Sequence, residues 1–285
     1  MPLSKERMPS FVQHYGTDMH GHYKLFVRRK FGELFRKTPR IRWGAPIAIS
    51  KIARAQDQPP SMHEVEKIEI RHPAFMGHAR KDTVLKVAEK IMAAPVELLA
   101  LYKTLSARKR AVHPVALKTY TSGKFKGKTF LYTQFSDSPL LGAMDFEKMS
   151  YPQRSQINRN LGKAFAQLHA YRGGRPAIIH NDAHPWNILY EEGGPKKSKV
   201  RFLDMDAAEF LHRQPTRAER MEDLGLFVKN AAYLGLHRNV GDLSRFVHEY
   251  SKLTGVDIND YFNGLQQVHL QAVERMREGE RERRP

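Results

Sequence analysis

At 285 residues with 41% hydrophobic side chains, the chain can bury a core and exceeds one average domain while fitting a two-lobed unit. It holds no cysteine, which excludes disulfides and thiolate metal sites, and no run reaches the roughly 18 apolar residues of a membrane span. A formal charge of +18 either attracts a polyanion (nucleic acid, an anionic membrane surface, a phosphorylated substrate) or simply solvates the surface. No pairing of a basic and an apolar segment heads the chain, so a soluble cytoplasmic protein is expected.

Residues 1–59 form a basic N-terminal segment without a strong core pattern. Between His22 and Arg42, Val27, Phe31, Leu34 and Phe35 recur at helical spacing against Lys24, Arg28, Arg29, Lys30, Arg36 and Lys37. This spacing predicts a basic amphipathic helix over residues 22–42, which either lies on an anionic membrane surface, peripheral on its inner face, or packs on the small lobe. Gln58-Pro59-Pro60-Ser61 reads as a linker, and Val65–Ile70 as a strand. Thr83–Ala88 is an apolar strand with Lys86 inside it, and a buried lysine without a partner is costly. Pro95, followed by Leu98, Leu101, Tyr102 and Leu105, predicts a helix. Val115–Tyr120 and Lys128–Phe135 straddle a glycine-bearing turn at 122–127, the pattern of a hairpin. Gln134 to Asp137 then reads as a hinge, and Ile157, Leu161, Phe165 and Leu168 mark the buried face of a long helix.

Three short apolar runs, Ala177–Ile179, Ile188–Tyr190 and Val200–Leu203, bracket Asp182, Asn187 and Asp204. Carboxylate and amide oxygens are hard ligands, suited to Mg2+ held by one or two such groups together with substrate phosphates. Asn187 and Asp204 fit that use, and Asp182, five residues before Asn187, can be aimed by the loop at a substrate hydroxyl. His180-x-Asp182-x-His184-Pro185-x-Asn187-Ile188-Leu189, followed by Asp204-x-Asp206, resembles the loop of the protein-kinase-like phosphotransferases. The pattern is closest to the branch of lipopolysaccharide-core sugar kinases, aminoglycoside phosphotransferases and choline kinases.

The resemblance implies an α+β, bilobal protein-kinase-like fold, with a β-rich N-lobe at 60–137 and a helical C-lobe at 138–277; Glu278 to Pro285, almost wholly charged, reads as a disordered tail. It implies ATP and Mg2+ as cofactors. Asp182 would be the catalytic base, Asn187 and Asp204 the metal ligands, and Asp206 either a second ligand or the cap of the next segment. Lys86 looks like the strand lysine that contacts the α- and β-phosphates, with Glu97 either its helix partner or an ordinary exposed glutamate. Backbone groups near Phe135 would meet the adenine. The phosphate-covering glycine loop is missing: Gly77 is the only glycine between Ile70 and Thr83.

His180 reads as a scaffold histidine, and His184 as a positioning or transition-state residue, or one that only shapes the loop. Asn181 stands where protein kinases often carry the arginine that senses activation-loop phosphorylation. Asp223 resembles the aspartate at a helix start that anchors the catalytic loop, and it follows Asp206 closely, with no Ala-Pro-Glu between them. So short a segment favours a sugar, alcohol or antibiotic hydroxyl as acceptor, and the basic N-terminal block favours a lipopolysaccharide-core or other envelope sugar among these. A compact Ser/Thr protein kinase and a non-catalytic kinase-like binding module are the alternatives. Leu243, Phe246, Val247, Tyr250 and Leu253, then Phe262, Leu265, Val268 and Ala272, predict two closing helices.

Overall fold

The computed structural model of the chain describes residues 11–18, 21–28, 46–51, 65–71, 84–92, 114–123, 126–127, 129–134, 138–172, 175–192, 199–205 and 207–282. Two compact units divide the chain, one of Met1–Ser106 with Val112–Asp137 and one of Ala107–Ala111 with Ser138–Pro285.

The first unit is a seven-stranded sheet. Its strands are β1 (Phe11–Asp18), β2 (Gly21–Arg28), β3 (Pro46–Lys51), β4 (Val65–Arg71), β5 (Val84–Met92), β6 (Pro114–Tyr120) and β7 (Thr129–Gln134), in the order β1-β2-β6-β7-β5-β4-β3. Every neighbouring pair is antiparallel. The expected strands near Val65, Thr83, Val115 and Lys128 are all present, and Gly123 and Gly127 take positive φ in the turn between β6 and β7. Lys86 lies inside β5, opposite Glu69 of β4 and one residue before the β5–β7 ladder begins at Val87 and Gln134.

The amphipathic helix expected from His22 onward is corrected at its start. Residues 22–28 belong to β2, paired on one side with β1 and on the other with β6. A period of two, Tyr23, Leu25 and Val27 against His22, Lys24 and Phe26, competes there with the helical spacing, and two flanking ladders decide in its favour. Tyr15 and Lys24 are cross-strand partners, with the ammonium 5.8 Å from the ring centroid. Because β1 to β3 join the same sheet as the later strands, the described residues of the 1–59 segment belong with the N-lobe strands. The rest of that helix, the helix after Pro95 with Glu97, the loop around Gly77, Phe135 and Asp206 lie outside the described residues.

Among the described residues the second unit is helical around two small antiparallel ladders. Helix α1 (Tyr151–Leu168) starts at Ser150, whose backbone N–H donates to Gln153 Oε1 at 2.9 Å, and Pro152 sits in its first turn where no intrahelical donor is needed. Strand β8 (Ala177–Ile179) pairs with β11 (Glu209–Leu211), and β9 (Ile188–Glu191) with β10 (Lys199–Phe202). Helices α2 (Arg217–Tyr233), α3 (Val240–Thr254) and α4 (Ile258–Glu282) complete the unit. The tail expected from Glu278 is therefore corrected: α4 runs through Glu282. Acids and arginines three apart, Glu274 with Arg277 and Arg275 with Glu278, suit a solvated helix.

The core gathers around Phe165 of α1, whose ring lies 5.2 Å from Phe202, 5.1 Å from Phe227 and 5.7 Å from Phe246, centroid to centroid. Gly162, one turn earlier, lets α1 and α3 approach closely: a Cβ there would come within 3.2 Å of Tyr250 N and closer still to Phe246 O. On α4 the buried stripe is Tyr261, Leu265, His269 and Ala272, so a histidine takes a place in the core.

His237, just past α2, is buried with its Nε2 on Asn158 Oδ1 at 2.9 Å, and its carbonyl accepts from His269 Nε2 at 2.7 Å. Burial pushes its pKa down to about 3, and the neighbouring His269 adds to the fall. Below the ordinary histidine value the unfolded chain takes up a proton that the fold refuses, so stability is lost as pH falls towards the folded pKa. The expected slope from this one group is about 1.4 kcal/mol per pH unit below about pH 6. Urea melts across that range should show it, and His237→Gln, which keeps a neutral donor for Asn158, should flatten the profile. Parallel profiles for the two proteins would refute the assignment.

Candidate active site

The loop between β8 and β9 is short and almost fully determined by its own polar atoms. Pro185–Asn187 forms a single 3-10 helical turn whose entry is His184; His184 N donates to Asp182 O at 2.9 Å and Asn187 N to His184 O at 2.8 Å. Trp186, within that turn, lies against Gly142, where a Cβ would stand 2.7 Å from the indole Cε2. The indole thus fastens the loop to the segment Leu141–Ala143, and only a residue without a side chain leaves room for it.

The side chains that chemistry needs are brought together at one end of the β9–β10 ladder. Asn187 Nδ2 donates twice to Asp182, to its carbonyl at 3.0 Å and to its carboxylate Oδ2 at 2.9 Å. Both amide hydrogens are thereby committed, which fixes the amide orientation and leaves Asn187 Oδ1 as the face that can ligate a cation. Leu203 N donates to Asn187 O at 2.8 Å, extending the ladder one step beyond the Ile188–Phe202 pair, and Asp204 emerges directly after it. An amide oxygen and a carboxylate at one strand end are a hard-donor pair that fits Mg2+ when substrate phosphates supply the remaining ligands. Among the described residues no cluster of three or more His, Asp or Glu side chains could hold a metal by itself.

Asp182 keeps its carboxylate partly open, 44% exposed, with its other oxygen, Oδ1, 3.7 Å from His184 Nε2. At that separation the contact is electrostatic rather than a hydrogen bond. Burial pushes the His184 pKa below the ordinary histidine value; the charges of Asp182 and Asp204 act the other way without offsetting it, and His180 adds to the fall. His184 is therefore a neutral imidazole at neutral pH, a hydrogen-bonding group beside Asp182 and not a fixed cation. Its Nδ1 is buried without a protein partner.

Beneath the loop lies a buried carboxylate. Asp223 Oδ1 accepts from Asn181 N at 2.8 Å, and its Oδ2 accepts from His180 N at 3.2 Å and faces His169 Nε2 at 2.9 Å. Tyr250 OH, from α3, meets His169 Nδ1 at 2.8 Å. Burial raises the Asp223 pKa, but the His169 hydrogen bond and the charges of His169 and His180 outweigh it and hold the group below the ordinary value. Asp223 is not at a helix start as its sequence context implied. Helix α2 begins at Arg217 behind the Thr216 and Glu219 capping box, and Asp223 sits in its second turn.

His180 is fully buried, with Nε2 on Leu203 O at 2.9 Å, so it props the loop from inside. His169, which caps the end of α1, and Tyr250, on the apolar stripe of α3, are members of the polar chain that anchors the loop. The available signal was their place on apolar stripes, since a polar atom there must find a partner. Nothing local names that partner.

No protein-family model and no curated protein matches the sequence. Solved structures do resemble it. WaaP in complex with acyl carrier protein is 18% identical, and the match covers 88% of this chain and 98% of that one at a TM-score of 0.56. A Ralstonia eutropha protein designated an aminoglycoside phosphotransferase is 14% identical, covering 80% of this chain and 82% of that one at a TM-score of 0.50. At such identities the likeness speaks for the fold, which is α+β and protein-kinase-like.

The anchor predicts a graded response. Asp223→Ala strands two loop amides and His169 in the core and should cost about 3 kcal/mol, whereas Tyr250→Phe removes one hydroxyl and should cost about 1 kcal/mol. Urea denaturation gives both values, and amide exchange at His180 and Asn181 should accelerate in Asp223→Ala well beyond the change in Tyr250→Phe. Equal costs, or unchanged exchange, would show that the loop does not hang from Asp223.

Proposed function

We propose that this chain is an ATP- and Mg2+-dependent phosphotransferase that passes the γ-phosphoryl group to a hydroxyl acceptor. The observation that carries the reading is the double donation from Asn187 to Asp182, which holds a half-open carboxylate and leaves the amide oxygen for a cation, on a residue whose carbonyl accepts from Leu203, the neighbour of Asp204. Asp182 Oδ1 is the atom that would accept the acceptor's proton, while Asn187 Nδ2 holds Oδ2 so that the carboxylate cannot swing away. His184, neutral and within reach of the same carboxylate, would donate or accept a hydrogen bond and so fix the incoming hydroxyl.

Bound Mg2+ would supply positive charge to the phosphate oxygens; Asn187 Oδ1 and the Asp204 carboxylate are the groups to hold it, with Asp206 as a further ligand. Lys86 is assigned to the α- and β-phosphates on the strength of its place inside an apolar strand, with Glu97 as its ion-pair partner and main-chain groups at Phe135 for the adenine. Positioning and electrostatics are what such a transfer chiefly asks of a protein.

For the acceptor we favour a lipopolysaccharide-core or other envelope sugar, ahead of an aminoglycoside or a protein. Two observations support this choice. The chain carries +18 charges, which suits an anionic glycan or the membrane surface that bears it. Among the described residues between Asp204 and α2 the one regular element is the short β11, which joins β8 and leaves little platform for a peptide. Among the described residues no helix is long and apolar enough to cross a membrane.

The test is ATP turnover with Mg2+ in the wild type, Asp182→Ala and Asp204→Ala, alone and with lipopolysaccharide, simple sugars, aminoglycosides or a generic protein. Acyl carrier protein, the partner in the WaaP complex, belongs in a parallel arm. Each substitution should lower turnover by about a hundred- to ten-thousandfold. Stimulation by lipopolysaccharide or a sugar supports the favoured acceptor, and transfer to the generic protein replaces it with a compact protein kinase. No Mg2+-dependent turnover, together with steeply salt-dependent polyanion binding, would make the chain a non-catalytic module. No association with anionic liposomes would count heavily against a membrane-borne acceptor.

A further inference from the structure

Among the described residues, two that are not glycine have positive φ: Asn181 at 60° and Asp204 at 49°. Left-handed backbone is uncommon outside glycine and asparagine, costs on the order of 1–3 kcal/mol at a residue that resists it, and persists only where the surroundings impose it. One of the pair precedes the candidate base, and the other is the candidate metal ligand itself. They are also linked.

Asn181 N is held by Asp223 Oδ1, and its side chain reaches across to donate from Nδ2 to Ala207 O at 2.9 Å. The Asp204 turn is thus tied on both flanks. Before it, Leu203 donates to Asn187 O and accepts from His180 Nε2; after it, Ala207 accepts from Asn181. Met205, between the two ties, has a fully buried side chain, and its carbonyl accepts from Ala208 N at 3.2 Å. The tie before Asp204 belongs to the ladder and to the His180 scaffold. After it, the exposed Asn181 amide holds Ala207, two residues before the β8–β11 ladder begins at Glu209.

We propose that Asn181 is a positioning residue for Asp204: its left-handed backbone turns the side chain towards the 203–208 segment, and its Nδ2 fixes that segment, and with it the direction of the Asp204 carboxylate. This rests on the reading of Asp204 as a metal ligand. Asparagine suits the position because it tolerates the left-handed region and carries a donor, whereas glycine offers only the first property and aspartate reverses the second. No phosphorylation-sensing arginine is required for such a tie, so the turn is held whenever the loop is folded.

The experiment compares Asn181→Gly, which keeps the backbone freedom and removes the donor, with Asn181→Asp, which keeps the shape and sets a carboxylate against a carbonyl oxygen. Three readouts are needed: Mn2+ binding by proton relaxation, amide hydrogen exchange over residues 204–208, and the Mg2+ concentration for half-maximal ATP turnover. In Asn181→Gly, Mn2+ affinity should fall and half-maximal Mg2+ should rise by about five- to tenfold, the worth of one such hydrogen bond. Exchange over 204–208 should accelerate while the acceptor KM and the melting temperature stay near wild type, and Asn181→Asp should be worse on all three readouts. Wild-type metal dependence and exchange in Asn181→Gly would overturn the proposal, as would losses in acceptor KM alone. If the wild type binds Mn2+ but turns over no ATP, the phosphotransferase reading fails, and metal binding and exchange still decide the role of Asn181.

Discussion

A carboxylate that is 1% exposed has to be given something to hold, and Asp223 is given two main-chain amides and an imidazole. Stripped of any of them it would be a buried charge without compensation, a state that costs several kcal/mol. Satisfied, it fixes the backbone of His180 and Asn181 from below, and everything above inherits that placement. His180 props Leu203, Asn181 reaches Ala207, and Asp182 follows directly into the grip of Asn187. The loop is therefore not a flexible connection that happens to carry a base. It is the exposed end of a polar chain whose other end, Tyr250, is buried in a helix of the core.

Some of this was legible in the sequence because the information is local. Asp182, Asn187 and Asp204 stand in a contiguous pattern of apolar runs and polar interruptions, and the strands read from those runs are β8, β9 and β10. The α1 face was legible for the same reason, since Ile157, Leu161, Phe165 and Leu168 repeat at helical spacing and are all buried. What failed was decided by distant partners. Residues 22–28 satisfy a helical stripe and a strand alternation alike, and the tie is broken by the ladders with β1 and with β6, the latter about a hundred positions later in the chain.

His169 and Tyr250 were illegible for a related reason: neither the 54-residue step to Asp223 nor the 81-residue step between them leaves a mark on either neighbourhood. Trp186 and Gly142 were likewise unremarkable apart, and their fit depends on the missing Cβ of one and the flat ring of the other. Periodicity shows which face is buried. It does not show which buried atoms meet.

Gly162 sets the depth at which α1 and α3 settle against each other, with only a hydrogen atom between its Cα and the α3 backbone at Phe246 and Tyr250. Tyr250 is also where the polar chain to the loop begins, and His169 follows the last residue of α1. The gap between two helices thus serves as the gauge for a hydrogen bond of 2.8 Å far below the loop. A single extra methyl group at that crossing, carrying no charge and touching no polar side chain, would pry Tyr250 away from His169. Drift in the apolar interior would then be felt as misalignment at Asp182, so the chain can change its core freely only in ways that leave this one spacing intact.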